Sequence, residues 1–162
     1  MHIHVDVPSQ TLTLHDAGGA VLGRYRVATA AKGVGELNGS EQTPRGWHVI
    51  RAKIGAGLPA GAVLVSRRPT GEIYSPALRA RFPRRDWILT RILWLSGLEA
   101  GRNRLGRVDT MRRYIYIHGC PDEDPMGVPS SHGCIKMRND EVIELFERVP
   151  VGTRVQILAE GA

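Results

Sequence analysis

Hydrophobic residues at the start of the chain alternate with polar ones. Ile3, Val5 and Val7 do so before Pro8-Ser9, and Leu12 and Leu14 do so after it, a period of two that predicts a β-hairpin. Asp16-Ala17-Gly18-Gly19 marks a turn, and a further strand runs through Tyr25 and Val27. Over 31–46 the alternation stops, and Gly33, Gly35, Asn38, Gly39, Ser40 and Pro44 predict a long loop. Strands are expected over 47–50 and 62–66, while Pro69, Pro76 and Pro83 exclude long helices from the middle of the chain. The apolar run 87–95 reads as a strand. So does 113–118, with Tyr114, Tyr116 and His118 on one face and Ile115 and Ile117 on the other.

The period changes once. Val142, Leu145, Phe146 and Val149 fall at i, i+3, i+4 and i+7, which predicts a helix over about 139–149 with its apolar face on the sheet. Asn139 is placed to cap it, Asp140 and Glu141 suit its positive end, and Pro150 stops it. Gly152-Thr153 then turns the chain into a last strand over 154–158. With no repeat, low-complexity segment or linker, the fold class is mainly β: one domain over 1–162 with a single carboxy-terminal helix.

Composition narrows the partners. A hydrophobic content of 42% with 23% charged residues is that of an ordinary globular domain. No apolar run reaches the roughly 18 residues of a membrane span, so no membrane partner is expected. The net charge of +6 rests on nineteen arginines against three lysines, scattered with small clusters at 67–68, 79–85 and 102–107. Nucleic-acid binders gather such charge into a run or stripe, so no nucleic-acid partner is expected. A solvated face is the plainest reading, and attraction of carboxylate-bearing substrates the next. Residues 1–6 carry no basic region leading into an apolar one, so the expected location is the cytoplasm, with the periplasm the alternative if a leader has been removed.

The chemistry lies in two triplets, His118-Gly119-Cys120 and His132-Gly133-Cys134, joined through a loop carrying Pro121, Pro125, Gly127 and Pro129. Three readings of these residues stay open. The cysteines are buried and structural; or His118, Cys120, His132 and Cys134 hold zinc, although one intervening residue is fewer than structural zinc pairs use; or a thiolate acts as nucleophile with an imidazole partner.

The stretch Ser131-His132-Gly133-Cys134-Ile135-Lys136-Met137 resembles the Ser/Thr-His-Gly-Cys signature of the YkuD family of L,D-transpeptidases, and His118-Gly119 resembles the His-Gly that precedes it. Thr43-Pro44-Arg45-Gly46 with Ile50 is similar to that family's Thr-Pro-x-Gly-x-x-x-Ile segment, and the likeness runs from about 3 to 157. It implies a YkuD-like β-sandwich and a cysteine enzyme without a cofactor or metal. Cys134 is the implied nucleophile and His118 its base, paired as thiolate and imidazolium, with the far nitrogen of His118 held by the Gly119 carbonyl. The N–H groups of Gly133 and Cys134 are the implied oxyanion hole, with Ser131 and His132 orienting the loop.

The implied substrates are peptidoglycan stem peptides or muropeptides, cleaved between the diamino acid and D-alanine through a Cys134 thioester. Tyr116, Lys136 and Arg138 are the candidate substrate-binding residues. Two departures stand out: Cys120 replaces a common threonine, and Lys136 replaces arginine or asparagine, losing the bidentate fork. Mild oxidation is expected to join Cys120 to Cys134. Without a leader, hydrolysis of the thioester by an L,D-carboxypeptidase is expected, with amine transfer by a transpeptidase as the alternative. A non-catalytic domain that binds wall fragments is the reading from another class.

Overall fold

In the computed structural model, which describes residues 1–160, ten strands join one curled sheet. The alternation at the start of the chain becomes β1 (His2–Asp6) and β2 (Thr11–His15), paired antiparallel with Ile3 opposite Leu14 and Val5 opposite Leu12. All four of these side chains are fully buried. Each contributes about 1.5–3 kcal/mol of hydrophobic burial. The other strands are β3 (Val21–Arg26), β4 (Gly46–Ile54), β5 (Ala62–Val65), β6 (Arg68–Ile73), β7 (Ile88–Gly97), β8 (Tyr116–Gly119), β9 (Ile135–Met137) and β10 (Arg154–Leu158).

The main path runs β3-β2-β1-β10-β4-β7-β5-β6, and β8 and β9 branch from it at β7. Only β1 with β10 and β8 with β9 pair in parallel. β7 is the hub. It pairs with β4, β5 and β8, and the run 89–93 is buried throughout, which explains why its sequence shows no alternation.

The branch and the main sheet enclose the core. Ile117, Ile135 and Met137 on one side meet Ile3, Val5, Leu93 and Ile157 on the other, with the helix α2 (Asn139–Arg148) contributing Val142, Leu145 and Phe146. The apolar face read from the sequence is therefore the packed one. Asn139 is not its cap, however. Arg138 holds that position in an extended conformation, and Asn139 spends its amide on tertiary partners: Nδ2 donates to Cys120 O at 2.9 Å and Oδ1 accepts from Thr90 Oγ1 at 2.6 Å.

Three further readings of the sequence need correction. A second helix, α1 (Pro76–Arg81), is present; Pro76 opens it and Ser75 Oγ caps it by accepting the Leu78 N–H. The prolines limit it to six residues rather than abolishing it. Strand β6 was invisible because it is the exposed edge of the sheet, where Pro69 is tolerated and no apolar alternation is required. The strand expected over 113–118 begins only at Tyr116, because Tyr114 has a left-handed backbone (φ 56°) and ends a turn anchored by Arg113 N–H on Asp109 O. The domain expected over 1–162 ends on two residues that lie outside those described.

Gly119 closes β8 where no side chain fits. A Cβ there would meet Leu89 O at 2.7 Å and would overlap Asn139 Oδ1. Gly119→Ala should therefore lower stability by about 1–3 kcal/mol, read as an earlier midpoint in urea denaturation. An unchanged midpoint would show that the strand end yields without loss.

Candidate active site

Strand β8 lies parallel to β9 with Ile117 opposite Ile135 and His118 opposite Lys136. Because Ile117, Ile135 and Met137 point into the main core, their neighbours Tyr116, His118, Cys134 and Lys136 take the other face. Cys134, immediately before β9, sits level with Tyr116, whose backbone N–H donates to Sγ at 3.3 Å. By strand spacing the Cα atoms of His118 and Cys134 lie roughly 8 Å apart, within reach of an imidazole and a thiol on one face.

His118 is buried, and its Nδ1 lies 2.6 Å from Gly119 O. A carbonyl only accepts, so Nδ1 carries the proton and Nε2 is left with its lone pair. Burial lowers the imidazole below its ordinary 6.5, against the opposing pull of Asp86 and of the Gly119 carbonyl. Burial likewise pushes the Cys134 thiol up to about 12, opposed by the Tyr116 N–H and by Arg113. Both shifts favour neutral groups. The Cys134 Sγ–H donates to Tyr114 O at 3.4 Å.

The loop carrying Cys134 is fixed by its own hydroxyl and by the distant 31–46 loop. Ser131 Oγ donates to Cys134 O at 2.5 Å and accepts the Gly133 N–H at 3.1 Å. That bond occupies the Gly133 N–H, which had been assigned to the oxyanion hole. Thr43 Oγ1 donates to Gly133 O at 2.9 Å, so the Thr-Pro segment supports the loop that carries Cys134. Gly133 has a φ of 129°, and a Cβ on it would press on Ile115 Cδ1 at 3.1 Å. Arg113 donates to Gln42 O at 2.6 Å and so ties the same 31–46 loop to the start of β8.

A cleft of about 390 Å³ opens at Cys134. Tyr116 and exposed His132 line it, the latter 3.8 Å from Asp86. The two expected cations do not. Lys136 Nζ lies 2.8 Å from Asp124 Oδ2, with side-chain exposures of only 12% and 13%, and Asp124 also accepts from Arg79 at 2.7 Å. Arg138 donates to Asp122 O and faces a separate surface beside Arg24 and Arg26. The cations that do line the cleft are Arg67 and Arg113. Sequence reasoning recorded the 67–68 pair only as a cluster, since nothing local shows that a hairpin tip folds over a distant cysteine.

Cys120 belongs to the far end of β8. It is buried, its thiol donates to Met137 O at 3.3 Å, and burial pushes it up to about 11. In the parallel register it stands four residues along from Cys134, about 13 Å, well beyond the roughly 7 Å a disulfide allows. The expected oxidative bridge is thus excluded by geometry. The same separation keeps His118, Cys120, His132 and Cys134 from converging on one ion. Among the described residues, no group of three or more His, Cys, Asp or Glu side chains is placed to hold a metal.

A family model described as the L,D-transpeptidase catalytic domain, YkuD, matches residues 1–157. The probable L,D-transpeptidase ErfK/SrfK of Salmonella typhimurium is 30% identical over 128 residues, 78% of this chain and 35% of that protein. The putative L,D-transpeptidase YqjB of Bacillus subtilis is 56% identical over 45 residues, 28% of this chain and 26% of that one. Among solved structures, an L,D-transpeptidase from Mycobacterium smegmatis matches with TM-score 0.56 and 21% identity, over 97% of this chain and 58% of its own. L,D-transpeptidase 3 from Mycobacterium tuberculosis, solved with a faropenem-derived adduct, matches with TM-score 0.54 and 14% identity, over 98% of this chain and 59% of its own. These structural likenesses concern the fold, and the chain spans about a third or less of the curated relatives named.

Two outcomes follow from the thiol environments. Alkylation of Cys134 by iodoacetamide should keep climbing with pH through the alkaline range towards the thiol's value of about 12, because the thiolate is scarce at neutrality. A rate already level from acid pH upward would reveal an ion pair instead. Under diamide, intact mass should show no loss of two hydrogens within one chain; such a loss, mapped to Cys120 and Cys134, would contradict their separation.

Proposed function

The chain belongs to the YkuD family of L,D-transpeptidase catalytic domains, and on that premise we propose that it transfers an acyl group from a peptidoglycan stem peptide through a thioester on Cys134. The observation that carries this reading is the parallel β8–β9 register. It sets buried His118, its Nε2 free, on the same face as Cys134, and Cys134 lines the cleft.

The chemistry follows from the neutral resting pair. As Sγ turns from Tyr114 O to attack the carbonyl of the diamino acid, its proton passes to His118 Nε2. The oxyanion that forms meets the Cys134 N–H, since the Gly133 N–H is held by Ser131. The imidazolium then protonates the departing amine, D-alanine leaves, and the thioester remains. His118 is a base once more.

For the second step the reading is hydrolysis. Charged groups line the cleft around Cys134, among them Arg67, Asp86 and Arg113, and such a polar lining suits the entry of water. His118 deprotonates that water, which releases the tripeptide. His118 accepts a proton only in its neutral form, and burial lowers its pKa. Activity should therefore persist at pH 6.5 and somewhat below it, and be lost only on further acidification.

Incubation with a purified diaminopimelate tetrapeptide tests the scheme. Free D-alanine and tripeptide should appear, with an acyl-enzyme visible by intact mass. Cys134→Ala should release no D-alanine, His118→Gln should slow release by about 10²–10⁴-fold, and Cys120→Ala should be close to wild type. Activity that survives Cys134→Ala would overturn the assignment. Added D-methionine should enter the product only slowly; an amine-exchanged peptide as the main product would replace hydrolysis by transpeptidation.

A further inference from the structure

Arg67 lies at the tip of the β5–β6 hairpin and lines the Cys134 cleft. Its guanidinium stands 5.0 Å over the Trp94 ring and 4.7 Å over the Tyr114 ring, and Nη1 donates to the Tyr116 hydroxyl at 3.1 Å. Tyr116 in turn gives its backbone N–H to Cys134 Sγ. The cation is therefore two hydrogen bonds from the nucleophile. Among the described residues no carboxylate pairs with it. Stacking occupies the faces of the guanidinium and leaves its edge donors open to the cleft.

The other nearby cations are already engaged. Lys136 is paired with Asp124. Arg113 donates to Gly35 O, Ser40 Oγ and Gln42 O, acceptors that belong to the loop it anchors. Arg138 faces elsewhere. Ser66 and Arg67 are the two turn residues of the β5–β6 hairpin, and their left-handed φ values of 47° and 64° are those such a turn requires, which fixes where the Arg67 side chain leaves the backbone.

We infer that Arg67 is the carboxylate-binding residue of the Cys134 cleft, taking over the anion recognition that Lys136 cannot supply while held by Asp124. This rests on the acyl-transfer reading for the identity of the peptide, whose two carboxylates near the scissile bond are the carboxy-terminal one of D-alanine and the side-chain one of diaminopimelate. An arginine edge accepts either through paired N–H···O bonds.

Binding in the catalytically silent Cys134→Ala protein tests this separately from turnover. Calorimetry would compare the diaminopimelate tetrapeptide with its carboxy-terminal amide and with the lysine-containing tetrapeptide, which lacks the side-chain carboxylate. Adding Arg67→Gln should weaken binding of the acid peptide about 10- to 100-fold, and Arg67→Lys should fall between. The variant should lose its effect on the amide if D-alanine's carboxylate is bound, or on the lysine peptide if diaminopimelate's is. An equal loss on all three peptides, or none on the first, would overturn the inference. Unchanged melting temperatures keep misfolding apart from lost recognition. Because no chemistry occurs in this background, carboxylate-dependent binding together with a wild-type protein that releases no D-alanine would fault the acyl-transfer reading alone.

Discussion

The site depends on a pair of parallel strands only three and four residues long. Ile117 beside Ile135 places both in the main core, and that burial decides which way His118 and Cys134 face. A slip of one residue would turn either side chain away from the cleft and into the core. A parallel pair normally returns through a helix, yet here the chain crosses back through a loop rich in proline and glycine. Backbone bonds to the segment after β3 hold that loop: Gly127 N–H to Val27 O, Ser130 N–H to Thr29 O, and the bridge between Ala28 and Lys136. The position of Cys134 thus depends on β3 and the segment that follows it.

Burial sets the electrical state of the pair as well as its orientation. It discourages charge on His118 and on Cys134 alike. Half-buried Cys134 meets the cleft, but its raised thiol is a slower target for small oxidants and electrophiles than a thiolate. Cys120, deeper still, shares that protection.

Much of this was legible in the sequence because the signals were local. Alternation at Ile3, Val5, Leu12 and Leu14 gave the hairpin, the spacing of Val142, Leu145, Phe146 and Val149 gave the buried face of α2, and the triplets marked the cysteine and histidine that the fold brings together. What escaped were features set by tertiary structure. Asn139 has the chemistry of a cap, but Cys120 O and Thr90 claim its amide. Lys136 follows the nucleophile in sequence, yet an aspartate twelve residues upstream takes its charge. Arg67 lies far from the signature and reaches the cleft only through sheet topology. β6 carried no pattern because an exposed edge imposes none.

The pairing of Lys136 with Asp124 and Arg79 constrains how this position can evolve. Replacing Lys136 by asparagine alone would leave Asp124 with Arg79 as its charged partner. The carboxylate would lose one of its two cations without being left unpaired, so the cost falls short of that for a lone buried charge. The cheaper path changes Asp124 first, while Lys136 can still use Ser130 Oγ at 3.2 Å. Positions 79, 124 and 136 are therefore coupled, and a change at any one of them alters the setting of the other two.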